Sequence, residues 1–141
     1  MEYLIGVVLA IVVIGACAAT GIARERSFFA TMMIVVATYY VLFAAMADSG
    51  HALAMESLLA GVFIAAAVIG FRGSLWIVAV ALVGHGLFDL VHHHLVANPG
   101  VPHWWLGFCS SFDVTAGGLL AVMLVTRHRY SVPARGAPPG K

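Results

Sequence analysis

The chain has 141 residues, of which 62% are hydrophobic and only 9% charged, with a mean hydropathy of +1.02 and a formal net charge of +1. A water-soluble domain carries about a quarter charged residues, so an exterior this poor in charge has to face hydrocarbon, and a chain so near neutrality has little attraction for nucleic acid. Composition therefore predicts an integral membrane protein whose first partner is the lipid bilayer, and it excludes a soluble enzyme or a nucleic-acid-binding module.

Five apolar runs reach the roughly 20 residues that a helix needs to cross a bilayer. They are Tyr3–Ile22, Phe28–Ala47, Ala52–Phe71, Leu75–Val96 and Trp104–Val125. The joins are short and carry breakers or charge: "ARER", "DSGH", "RGS" and "NPGVPH". Backbone polar groups cannot go unpaired in lipid, so runs of this length read as helices, and the chain is too short and too evenly apolar for a β-barrel. The fold class predicted is all-α: a five-helix transmembrane bundle over residues 1–126, followed by a basic, Pro/Gly-rich disordered tail over 127–141.

The first span begins Met1-Glu2 without a basic leader and is followed, not preceded, by "ARER". It reads as a retained span and not a removed signal peptide. "IGAC", ending at Cys17, resembles a lipoprotein cleavage box but lacks the basic start that such a signal carries. Cys17 and Cys109 fall at opposite ends of their spans, far outside disulfide reach.

All seven Lys and Arg residues lie on one side of the predicted spans: Arg24, Arg26, Arg72, Arg127, Arg129, Arg135 and Lys141. The positive-inside rule then puts the C-terminus in the cytoplasm and the N-terminus outside, as a multi-pass protein of the cell membrane. Trp104 and Trp105 at one face, with Trp76 and Tyr130 near the other, suit interfacial belts.

The fourth span breaks the apolar pattern with "HGLFDLVHHH", residues 85–94. At about 100° per residue, His85, Asp89 and His92 form one stripe, with His93 at its edge and His94 on the opposite side. At 1.5 Å per residue, His85 lies roughly 16 Å, Asp89 roughly 10 Å and His92 roughly 6 Å below the outer end of the span. The fifth span returns antiparallel and places Cys109 and Asp113 roughly 8 and 13 Å below the same face; the third places Glu56 roughly 6 Å down. Every intramembrane carboxylate thus belongs to the outer half, with no Lys or Arg near it. Charged groups at a helix centre cost about 2.5–3.5 kcal/mol each on insertion scales. Something must offset them: a metal ion, protonation, charged imidazoles or water.

Imidazole and carboxylate at i, i+3, i+4 and i+7 suit Zn²⁺, with Fe²⁺ as runner-up. The expected ligands are His85, Asp89, His92 and His93, with Asp113 or Glu56 as a further ligand or a general base. Two blander readings use the same residues: an Asp–His network that glues the third, fourth and fifth spans together, or a proton-handling network. His51, His94 and His103 read as solvated rim residues. Cys109, one turn before Asp113, reads first as a small packing residue and second as a soft ligand. Ser110 and Ser111 read as helix packing, Tyr39 and Tyr40 as aromatic packing beside a pocket. Gly84, Gly86, Gly117 and Gly118 mark close helix contacts.

The pattern His85-x₃-Asp89-x₂-His92-His93, then Asn98-Pro99, Pro102, Cys109 and Asp113, resembles that of a family of small bacterial membrane proteins catalogued only as a domain of unknown function. The resemblance covers residues 84–115; His94 and the order of serines around Cys109 depart from it. It implies a polar site at these positions and no activity. A looser similarity, to membrane hydrolases such as alkaline ceramidases that hold zinc with His and Asp in a helical bundle, is one of chemistry only.

These readings converge on a membrane protein with a metal site in its outer leaflet half. A metal-dependent hydrolase acting on a lipid or other small amphiphile is the reaction that fits most directly. The alternatives are a proton- or ion-handling protein, for which a homo-oligomer would have to supply the inner half of the route, and an accessory subunit whose polar stripe docks a partner helix.

Overall fold

The structure, a computed structural model, describes residues 1–130, with side chains to residue 126. It is all helical: α1 Glu2–Ala19, a short 3-10 turn Ile22–Arg24, α2 Arg26–Met46, α3 Gly50–Arg72, α4 Leu75–Leu95 and α5 His103–Tyr130. All five long helices are long and apolar enough to cross a membrane, α5 over His103–Thr126, which implies a bilayer as their surroundings. Helix α5 continues through the first four residues of the stretch expected as tail; residues 131–141 lie outside the described residues.

The breaks between helices follow from local chemistry. Thr20 folds its hydroxyl back onto the carbonyls of Ala16 and Cys17 at 3.2 and 3.1 Å, and Gly21 then takes a φ of 87°, open to glycine without a Cβ penalty. Asp48 adopts the left-handed region at φ 51° and Ser49 caps α3 by accepting from the Ala52 amide at 3.4 Å. At the C-terminus of α3, Arg26 donates to the carbonyls of Phe71 at 2.9 Å and Gly73 at 2.8 Å. A cation thus satisfies acceptors that the helix leaves open and ties α2 to α3.

Helix α4 is the hub. It packs along α5, and on its other flank against α3 and α2; α2 also packs along α3, whereas α1 leans on α5 and stands apart from α2. Small residues set the spacing. A Cβ added at Gly86 of α4 would lie 2.6 Å from the Ser110 carbonyl oxygen of α5, and one at Gly117 of α5 would lie 2.8 Å from the Ala79 carbonyl oxygen. The two backbones touch along this seam, as small residues allow in lipid-embedded bundles. Gly84 and Gly118 face open space, so these two of the expected close contacts are not where the helices meet.

The interior divides by depth. Toward the end that carries Arg24, Arg26 and Arg72, the buried side chains are Phe29, Met33, Ala67, Val78 and Leu120, all apolar. Toward the far end, where Met1 and the 97–102 connection lie, the buried set includes Glu56, His85, Asp89, His92, Ser110 and Asp113. Large apolar side chains such as Leu58, Val80 and Val122 point outward, as a lipid-facing surface requires.

Candidate metal centre

Two i, i+4 pairs face each other across the α4–α5 seam. His85 and Asp89 sit one turn apart on α4, Cys109 and Asp113 one turn apart on α5. Because the helices run antiparallel, the first member of each pair in sequence meets the second member of the other, the two deeper residues His85 and Asp113 coming together. His85 Nδ1 lies 2.7 Å from Asp113 Oδ2 and 3.8 Å from Asp89 Oδ2. The Cys109 thiol donates to Asp113 Oδ2 at 3.6 Å. One donor atom from each of these four residues falls within 4.8 Å of the others, and all four residues are buried.

Zinc bonds of 2.0–2.3 Å in a tetrahedron place ligand atoms roughly 3.3–3.8 Å apart. The His85–Asp89 and Cys109–Asp113 separations already suit that spacing. The His85–Asp113 distance is shorter and belongs to a hydrogen bond. With one donor atom from each within 4.8 Å of the rest, the four side chains could hold a metal ion. The donor set of imidazole, thiolate and carboxylate is one that zinc accepts.

Among the described residues, two oxygens in this group have no hydrogen-bond partner. Asp89 Oδ2 and Asp113 Oδ1 are buried with no hydrogen bond, in residues whose exposure is 0%. Buried polar atoms in native proteins nearly all find a partner, and carboxylates in lipid are the costliest kind to leave unpaired. Both orphaned atoms belong to the four-residue cluster.

The surrounding side chains hold the cluster in place. The Tyr40 hydroxyl donates to Asp89 Oδ1 at 2.8 Å, so Asp89 has one oxygen tethered and one open. Phe63 meets the His85 ring edge-on at a centroid distance of 4.7 Å. Partners of this kind fix the orientation of a ligand before an ion arrives.

The structure distributes the residues expected as a single site into two groups and a rim. His85, Asp89 and Asp113 come together. His92 instead lies with Glu56, its Nε2 at 2.9 and 3.1 Å from the two carboxylate oxygens, and Asn98 donates to Glu56 Oε1 at 2.9 Å and to the Tyr40 carbonyl at 3.0 Å. The reason is rise along the helix. His92 shares the angular stripe of His85 but stands roughly 10 Å farther along the axis, too far for one ion. His93 is exposed at the far end, stacked on the equally exposed His94 with centroids 3.7 Å apart. His51 and His103 are exposed as well.

Cys109, read first as a packing residue and second as a soft ligand, is buried within reach of the other three donors. The signal was its spacing: Cys-x₃-Asp on one helix repeats the His-x₃-Asp of the next. Tyr40, read as packing, supplies the hydroxyl on Asp89 while its ring lies on His92 at 4.3 Å. Ser111 does bond to backbone, donating to the Phe108 carbonyl at 3.0 Å. No family model matches this chain, and no curated protein or solved structure matches it either.

Proposed function

We propose that His85, Asp89 and Cys109 hold a divalent metal ion, zinc before iron, with Asp113 as fourth ligand or as the base beside it. The observation that carries this reading is the pair of buried oxygens without a hydrogen bond among the described residues, Asp89 Oδ2 and Asp113 Oδ1, in a four-donor cluster. A thiolate among the ligands favours zinc over the two-histidine, one-carboxylate set that serves iron. A divalent ion also supplies the counter-charge that the sequence withholds from this half of the bundle.

The reaction proposed is hydrolysis of an ester or amide bond in a membrane-derived amphiphile. Bound zinc polarises a carbonyl and acidifies water at neutral pH. Asp113, with Oδ1 free and Oδ2 near His85 and Cys109, is positioned to take a proton. Tyr40 holds Asp89 in its orientation. By the positive-inside rule, the site belongs to the non-cytoplasmic half of the bilayer with the C-terminus in the cytoplasm. Elemental analysis of the purified protein tests the reading. About one zinc per chain, lost in His85→Ala and Cys109→Ala, supports it; a folded, metal-free protein whose stability ignores chelators sinks it.

A second reading has its own observation. The 2.7 Å contact between His85 and Asp113, continued by Tyr40 on Asp89, is a buried acid–imidazole network that can share protons without a metal. Conduction across the bilayer is disfavoured, since the buried side chains of the arginine half are apolar among the described residues.

A further inference from the structure

Because α1 stands apart from α2, a cleft of about 1060 Å³ opens between them with α5 as its floor. Its middle is walled by Leu9 from α1, Met32 and Val35 from α2, and Phe108 and Phe112 from α5. Charged groups border it only at the two ends, Met1 and Glu2 at one and Glu25 at the other. Cys109 belongs both to the cleft floor and to the four-residue cluster. The cluster therefore borders the lipid-facing surface through one side chain.

Three features say what fits there. The α2 wall from Ser27 to Tyr39 measures roughly 18 Å at 1.5 Å per residue, close to the roughly 15 Å that one leaflet's acyl chains cover in a 30 Å hydrocarbon core. A helix from a second copy, roughly 10 Å across over that length, would occupy roughly 1,400 Å³ and lie partly outside the cleft. Toward one end the apolar wall gives way to Met1, Glu2 and Cys109, and a chain that is apolar along its length and ends in a carbonyl or carboxyl group matches that change, since a polar head left among apolar side chains would be costly.

We propose that this cleft binds a single-chain acyl amphiphile taken sideways from the bilayer, its tail along Leu9, Met32 and Val35 and its carbonyl end toward Cys109. This rests on the metal-centre reading only for what then happens to the amphiphile; binding itself requires no ion. The recognised chemistry is a long alkyl chain ending in an ester, amide or carboxyl group. Cys109 is shared by the cleft and the cluster, so a carbonyl at that end borders the four donors directly.

The experiment uses the full chain in lipid nanodiscs and a palmitic acid carrying a photoreactive diazirine at mid-chain, with crosslinked peptides mapped by mass spectrometry and zinc measured on the same sample. Labelling is expected to concentrate on the Leu9, Met32 and Val35 segments over Val80, an outward residue of α4 that is 69% exposed. Excess unlabelled palmitate should lower cleft labelling about tenfold and leave Val80 labelling unchanged, a readout on the unaltered protein. Leu9→Trp and Val35→Trp should lower it likewise with zinc content unchanged, while Val80→Trp has no effect. Labelling spread evenly over the lipid-facing residues, or insensitive to competition, overturns the proposal. So do crosslinks joining two copies across an unlabelled cleft, which make it a subunit interface. Cleft labelling in a protein that binds no zinc keeps this proposal and removes the metal centre.

Discussion

His85 and Asp113 meet across two antiparallel helices, Nδ1 to Oδ2 at 2.7 Å, beside Gly86, where an added Cβ would run into the Ser110 carbonyl. Each is the other's shortest side-chain contact, yet they lie 28 positions apart in sequence. Breaking a buried pair from one side costs about 3–5 kcal/mol, because the partner stays behind unpaired. His85→Ala should therefore lower the thermal midpoint strongly. Replacing both residues with leucine should recover part of that loss, since Asp113 is no longer left behind, while Asp89 still loses its imidazole neighbour. The double variant should bind no zinc. Melting curves in detergent together with metal content check both halves, and a double variant that keeps its zinc removes the pair from the site.

Chelation offers a second measurement. An ion that binds the folded state alone stabilises it by about 4 kcal/mol at a free concentration 1,000 times its dissociation constant. The thermal midpoint should fall on EDTA treatment and return on titration with zinc, rising with the free zinc concentration. Calcium should not restore it, because a site with thiolate and imidazole does not suit a hard cation.

Tyr40→Phe separates orientation from packing. The ring stays to lie on His92, and only the hydroxyl on Asp89 Oδ1 is lost. Inter-helix hydrogen bonds in membranes are worth about 1 kcal/mol, so the fold should persist. Zinc affinity should drop about 10–100-fold, as for other supporting partners of metal ligands. Competition with a fluorescent chelator reads this directly.

His92→Ala and His93→Ala should part company. The first strands Glu56, which is 2% exposed, with Asn98 as its remaining donor. It should destabilise by about 3–5 kcal/mol while zinc stoichiometry is retained. The second alters an exposed residue and should change stability by no more than about 0.5 kcal/mol. Equal zinc loss in both would return the site to the distal histidines.

Gly86→Ala and Gly84→Ala test the seam. At position 86 the new methyl meets the Ser110 carbonyl oxygen at 2.6 Å; at position 84 it meets nothing within 4 Å. Overpacking of this kind costs about 1–3 kcal/mol, and here it also spreads the two helices that carry the four donors. Stability and zinc affinity should fall together for Gly86→Ala, and neither for Gly84→Ala.

The helices were legible in the sequence because uninterrupted apolar runs of about 20 residues have little alternative in lipid, and their ends differ from expectation by a few residues. Helix neighbours were not legible. When a helix is apolar all round, periodicity names no buried face, and nothing in α1 told that it leans on α5 and not on α2. Within the site, His85 and Asp89 stood out because ionisable residues one turn apart in an apolar span must turn away from lipid toward a shared polar interior. His92 was drawn into the same group by its angle alone, and the axial rise that separates it decided otherwise. Cysteine is ambiguous as a residue type, since it packs as a small hydrophobe as readily as it coordinates. Only the facing His-x₃-Asp makes Cys109 a candidate donor.

The clasp in which Asn98 and His92 both reach Glu56 has a consequence for biogenesis. Glu56 leaves the ribosome well before either of them, so the carboxylate must enter the translocon while its future partners have yet to be translated. An acid costs about 2.5–3.5 kcal/mol at a helix centre and less at the shallow depth of Glu56, a cost that the growing chain recovers only when the hairpin of α4 and α5 arrives. A nascent chain arrested after α3 should accordingly leave that helix hovering near the headgroups, and completion of the later pair should draw it to full depth.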